Sequence, residues 1–257
     1  MKSKWLVATA LILQLPLASR ADRTFGAATT RNSADVVGER VPSEDPVLKD
    51  FHSLGLVDGC INIFRSASPV RDLGMPTAST QQSEAQTSVA TARIQRLHQF
   101  GIRTIVCLED PENPETDNNA AGIAKANQLK ARLAMERTAA IEGGIDFVML
   151  PMANSGPHSL ENMSDAEVLS WLERVTDEIS KDAKTGGVVF HCSAGHDRTG
   201  MVAAFIRIKY EHWPVDQAID EMRRYGHNWV KYSRNGGVSS WHEDHLRAIA
   251  KMLENSK

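Results

Sequence analysis

Apolar residues recur in two rhythms along this chain, and the alternation between them predicts its elements. Short apolar runs over 57–65, 103–108, 145–150 and 187–191 have the length and β-branched content of buried strands. Stretches with helical spacing lie between them. Ile94, Leu97 and His98 belong to the start of a helix that Gly101 ends. Residues 120–141, rich in Ala, Leu, Lys and Arg, form a good helix that stops at Gly143-Gly144. Ser164-Asp165-Ala166-Glu167 is a capping box, in which serine and glutamate side chains satisfy each other's backbone N–H groups; it opens a helix to about Lys181. Further helices are expected at about 199–211, 214–225 and 241–254. Strands alternating with helices argue for an α/β fold with a mostly parallel central sheet flanked by helices.

Three stretches break this rhythm. Lys2 and Lys4 precede an apolar run from Trp5 to Ala18, and Ser19-Arg20-Ala21 places small residues one and three positions before a cut after Ala21. That is the pattern of a signal peptide over 1–21, with an uncleaved anchor as the alternative. The run is short for a membrane span and is interrupted by Gln14 and Pro16. The expectation is a secreted or periplasmic protein with no stable membrane insertion after cleavage. Residues 22–46 lack periodicity and are expected to form a flexible linker to a domain over 47–257. Residues 74–91, rich in Ser, Thr, Gln and Ala, carry no apolar period before Val89 and are expected to be a mobile insertion.

Composition changes this picture little. The 257 residues carry a net charge of −3, which excludes an overall basic field and with it nucleic acid as an expected partner. No set of His, Cys and carboxylates has metal-ligand spacing; His242 and His245 are too close for a zincin motif. No metal or cofactor is expected. Cys60 and Cys107 can pair in an oxidising compartment or stand as buried thiols in strands. Trp171, Trp213, Trp229 and Trp241 are expected as core anchors.

The chemistry sits in His191-Cys192-Ser193-Ala194-Gly195-His196-Asp197-Arg198-Thr199-Gly200, between an apolar strand and an apolar helix. A short loop entering a helix turns backbone N–H groups toward one point, and the helix dipole adds to their field. Gly195 lets the loop curl without a Cβ clash. The fork of Arg198 can hold two oxygens of one phosphate, which a lysine cannot do. The loop residues Ser193, Ala194, Gly195 and His196 complete the phosphate-binding set. The field that binds phosphate also favours the thiolate of Cys192, which can attack phosphorus and form a phosphocysteine. Thr199 can give its hydroxyl to that thiolate. His191 orders the loop.

This string resembles the phosphate loop of the cysteine-dependent protein tyrosine and dual-specificity phosphatases, in a bacterial form reading HCxxGxDRTG. His196 stands where that form has lysine. The segment from Asp58 to Pro69, including Arg65 and Ser66, is similar to the entry strand of such enzymes; 100–108 is similar to a second strand, and 213–226 to the helix after the catalytic one. The resemblance implies a phosphatase-like fold of dual-specificity size, Cys192 as nucleophile, Arg198 as phosphate-binding arginine, and a phosphorylated protein or small phosphoester as substrate. An inositol phosphate or pyrophosphate phosphatase, and a phosphate-binding module without catalysis, are the alternatives.

A carboxylic acid usually protonates the leaving oxygen in such chemistry. The resemblance places it on the loop after the third strand, but Pro151 to Ser159 contains no carboxylate. Asp197, Asp110 and Asp165 are the candidates. Asp197 can equally brace the loop, Asp110 can be a solvated turn, and Asp165 can favour its helix dipole. A phenol leaves with a pKa of about 10, well below an aliphatic alcohol, so phosphotyrosine and pyrophosphate depend less on an acid than phosphoserine does. Arg223, Arg224, His227, Lys231 and Arg234 can hold a polyanion or form a solvated face.

Overall fold

The computed structural model describes residues 48–55, 62–73, 80–111, 120–154, 156, 158–234 and 236–256. In chain order the elements are β1 (His52–Ser53), β2 (Ile63–Ala67), α1 (Thr80–Gln99), β3 (Ile102–Cys107), α2 (Ala120–Glu142), β4 (Asp146–Met149), α3 (Asp165–Asp182), β5 (Gly187–Cys192), α4 (Asp197–Glu211), α5 (Val215–Arg224), β6 (Ser233–Arg234), β7 (Ser239–Ser240) and α6 (Trp241–Asn255). The main sheet has the order β1-β2-β5-β3-β4. Strands β2, β5, β3 and β4 pair in parallel, and the two-residue β1 pairs antiparallel on the edge of β2. The sheet is therefore mostly parallel, as the alternating pattern implied.

Two cores cover its faces. Side chains of β5 alternate between them: Val188, Phe190 and Cys192 join residues of α3, α4, α5 and α6, whereas Val189 joins residues of α1 and α2. Helix α3 earns its place through Val168, Trp171, Leu172, Val175 and Ile179, which form one helical stripe. Its capping box is present, with the Glu167 carboxylate accepting from the Ser164 N–H. Helix α4 is buried over most of its length, which fits its position behind the central strand.

One expectation needs correction. Helix α1 begins at Thr80, well before the start near Ile94 that the spacing implied, while 74–79 of the expected insertion lie outside the described residues. Ser, Thr, Gln and Ala offer no strong apolar period, but they do not forbid helix, and Ala90, Ile94 and Leu97 anchor the element against the core. The leader, the linker over 22–46 and Cys60 lie outside the described residues, while Cys107 is a free buried thiol. Among the described residues no helix is long and apolar enough to cross a membrane. The short β1 and the β6–β7 pair were not foreseen, because two-residue strands carry no readable periodicity.

Candidate active site

The loop from Cys192 to Arg198 lies where the central strand ends and α4 begins, at the C-terminal edge of the parallel sheet. Its curl depends on close backbone contact with β2. Gly195 has a φ of +74°, and a Cβ there would lie 2.6 Å from the Ser66 carbonyl oxygen and 2.7 Å from the Ala67 nitrogen. The Ser68 N–H donates to the Ser193 carbonyl at 3.1 Å, and Arg65 Nη2 donates to the Gly195 carbonyl at 2.7 Å. Among the described residues, the N–H groups of Ser193, Ala194, Gly195 and His196 donate to no backbone carbonyl. They are available to an anion at the positive end of α4.

Cys192 is 3% exposed, and its N–H donates to Thr199 Oγ1 at 2.7 Å. Arg198 is also buried; its Nη1 donates to the carbonyls of Met152 at 2.8 Å and Leu108 at 3.3 Å. The arginine is thus moored to the ends of β3 and β4, on the side where the neighbouring loops meet. His196 lies 3.5 Å from Asp50 and packs its ring on Gly226. The structure brings Cys192 to Arg198 into one turn, with Thr199 behind it on α4.

His191 points to the opposite face of the sheet. Its Nδ1 contacts the Cys192 carbonyl at 3.2 Å, and its Nε2 lies 2.9 Å from the Glu136 carboxylate of α2. Burial disfavours the imidazolium, but the charge of Glu136, its contact, and the charge of Glu109 outweigh that, and His191 is pushed up to about 9. Ser68 donates its hydroxyl to Glu136, so one residue ties both the loop and this carboxylate. Glu136 was missed from the sequence. The available signal was a charged residue on the buried stripe of α2, three positions after Leu133 and four before Ala140.

The fold also assembles a group that sequence spacing did not reveal: Cys107, Glu109 and His191 have donor atoms within 4.8 Å of one another. Each is engaged in a charge network. Glu109 pairs with Arg132 at 2.6 Å, His191 pairs with Glu136, and burial together with both glutamates pushes the Cys107 thiol well up.

The three candidate acids separate cleanly. Asp197 accepts from His227 Nδ1 at 2.6 Å and from the Asn228 N–H at 3.3 Å. Burial resists its ionisation, yet the hydrogen bond and charge of His227 win, and its pKa is held below the usual carboxylate range. That suits a brace more than a proton donor. Asp165 lies 2.6 Å from His245 Nδ1 at the start of α3, away from the loop. Asp110 follows Leu108 by two residues and lines a pocket of about 240 Å³ with Pro151, Met152, His158, Asn162 and a second carboxylate residue, Glu167, which is held in the α3 capping box. Met152 is the residue whose carbonyl receives Arg198.

The basic residues after α4 do not form one free cluster. Arg223 makes two hydrogen bonds to Glu243 and lies over Trp229, and His227 is buried between Asp197 and Ser240. Lys231 donates to the Tyr232 hydroxyl, Arg224 to the Asp220 carbonyl and Arg234 to the Glu161 carbonyl. Tyr232, His242 and Asn154 extend the His227 cluster to the loop after β4. Of the tryptophans, Trp171 and Trp241 are core residues, while Trp213 and Trp229 are half-buried under arginines.

Comparison with known proteins places this geometry in context. A model described as "Tyrosine phosphatase family" matches residues 67–208, more than half of the chain. The dual specificity protein phosphatase TpbA of Pseudomonas aeruginosa (strain UCBPP-PA14) is 37% identical over 70 residues, which are 27% of this chain and 30% of that protein. The chain thus matches less than a third of the length of this relative. Among solved structures, that of P. aeruginosa TpbA covers 82% of this chain and 97% of its own, at 18% identity and a TM-score of 0.46. The core catalytic domain of the PP-IP phosphatase SIW14 from S. cerevisiae, in complex with citrate, covers 81% of this chain and 92% of its own, at 15% identity and a TM-score of 0.41.

Proposed function

This chain belongs to the tyrosine phosphatase family, and from that premise we propose that it hydrolyses phosphomonoesters through a phosphocysteine on Cys192, with aryl phosphates such as phosphotyrosine preferred. One observation carries the reading: the thiol lies at the base of a turn whose N–H groups, from Ser193 to His196, are unspent on the backbone, with Arg198 on the following helix.

The loop N–H groups and Arg198 hold the three non-bridging oxygens and stabilise the charge that develops on them. The Cys192 thiolate attacks phosphorus in line; the S–P bond forms as the P–O bond to the leaving group breaks. The leaving oxygen takes a proton from Asp110, which shares a pocket with Met152, the residue whose carbonyl receives Arg198. Water then attacks the phosphocysteine, giving its proton to the same carboxylate and releasing phosphate and free thiolate. The Thr199 hydroxyl, bound to the Cys192 N–H, supports the departing sulfur. Asp197, as an ionised brace, holds the loop in shape.

Hydrolysis of p-nitrophenyl phosphate by the wild type, abolished in Cys192→Ser, tests the nucleophile; turnover surviving that change overturns it. General acids contribute about 10²–10⁴-fold, so Asp110→Asn should cost that much on phosphotyrosine and less on p-nitrophenyl phosphate, whose leaving group needs the proton less. Equal losses on both substrates would remove Asp110 from the role. Comparable kcat/KM on phosphoserine and phosphotyrosine peptides would contradict the aryl preference. A polyanionic substrate has less support, because Arg223 and His227 are engaged within the fold.

A further inference from the structure

Arg65 is a cation the mechanism above does not use. It lies on β2, paired in register with Phe190 of β5, and is 1% exposed. Its guanidinium stacks 4.7 Å from the centre of the Tyr225 ring. Nη2 holds the Gly195 carbonyl, and among the described residues Nη1 has no hydrogen-bond partner. Burying a guanidinium is costly unless its charge is matched. The carboxylate that acts on it most strongly, Glu221, is itself gripped by Arg207 through two hydrogen bonds. Cys192 also lies within the electrostatic reach of Arg65, on the same face of the sheet.

We propose that Arg65 is a positioning residue of the phosphate loop, pinning the Gly195 carbonyl against β2 and lending its positive charge to the Cys192 thiolate. The first half follows from the planarity of the peptide. In a trans peptide the C=O and the N–H of one unit point in opposite directions. Holding the Gly195 oxygen toward β2 therefore turns the His196 N–H away from β2 and into the concave side of the loop, where the phosphate sits. Gly195 has the positive φ that accompanies this rotation, and a Cβ there would collide with the Ser66 carbonyl. The second half follows from burial. A charge shielded from water acts over a longer range than one at the surface, and Arg65 lies on the Cys192 face of the sheet within electrostatic reach of it.

This inference rests on the phosphate-binding half of the phosphatase reading, and its test needs no turnover. Cys192 alkylation by iodoacetamide is followed against pH, with and without inorganic phosphate, in the wild type, Arg65→Met and Arg65→Lys, with far-UV circular dichroism and Tm as controls. Arg65→Met should move the alkylation profile to higher pH and weaken phosphate protection by roughly tenfold or more, the scale of one lost charged hydrogen bond. Arg65→Lys should keep the alkylation profile near that of the wild type and still weaken phosphate protection, because an ammonium carries the charge without the fork. A folded Arg65→Met with wild-type profile and protection, whatever its Tm, overturns the proposal. If Arg65→Met does not fold, Arg65→Lys decides: wild-type protection there overturns it. A wild type that binds phosphate but hydrolyses nothing would sink the phosphatase reading and leave this one standing.

Discussion

A few single residues decide whether this loop can exist. Gly195 is the clearest, because both its φ of +74° and its contact with β2 exclude a side chain. Gly195→Ala must shift Ser66 and Ala67 or unwind the loop. The strained conformation alone costs about 1–3 kcal/mol, and the expected result is a lowered Tm with loss of phosphate protection of Cys192. A variant with unchanged Tm and phosphate binding would show that the loop relaxes without cost. The turn from Cys192 to Arg198 was legible in the sequence because it needs a thiol, an arginine and a position without a side chain at a local spacing. Glu136 was not, since its partner His191 lies 55 positions away and nothing local to α2 announces the meeting.

At the scale of elements, the start of α4 is tied to the segment after α5. Asp197 receives His227 and Asn228, His227 reaches Ser240 at the N-terminus of α6, and His242 reaches Asn154 in the loop after β4. Burial, with the nearby charge of His227, drives His242 well toward its neutral form. The cluster therefore rests on the Asp197–His227 hydrogen bond and a set of polar and ring contacts. Asp197→Asn removes the carboxylate from that bond while keeping the shape. Amide exchange should accelerate over 227–240, and kcat should fall far less than in Asp110→Asn. The reverse ranking would restore Asp197 as the acid. Because burial is outweighed and the Asp197 pKa is depressed, its stabilisation is present above the unfolded carboxylate value and is lost as pH falls through the lower, folded one. Helix α1 carries a second lesson: from Thr80 to Val89 its sequence has no apolar stripe, and the element is fixed by Ala90, Ile94 and Leu97 further on.

For the whole molecule, the sheet separates the Cys192 thiol from the His191–Glu136 pair. Cys192 faces α4, whereas His191 faces α2 and meets Glu136 there. Burial opposes the His191 charge, but Glu136 and Glu109 overcome it, so the folded protein holds a proton that the unfolded chain releases. The stabilisation is complete below the unfolded value of 6.5 and fades as pH rises through about 9. Urea unfolding below and above that window should show the loss in the wild type. Glu136→Gln should lower stability at the acid end by about 3–5 kcal/mol, as for one partner removed from a buried pair, and flatten the pH dependence. An equally steep dependence in Glu136→Gln would assign it to another group.

The alternation of strand and helix, the C-x5-R turn and the capping box of α3 were determined by the sequence alone, because each is a local pattern that backbone geometry makes self-sufficient. The surroundings of Asp110, Asp165 and Asp197 were decided only by the tertiary structure. All three are aspartates in turns or at helix starts, and they differ by what the fold places beside them: a pocket that Met152 also lines, His245, or His227. The same holds for Arg65 and Glu136. A charge on a strand or helix is indistinguishable from a surface charge until long-range pairing buries it, and desolvation then makes its neighbours the deciding term.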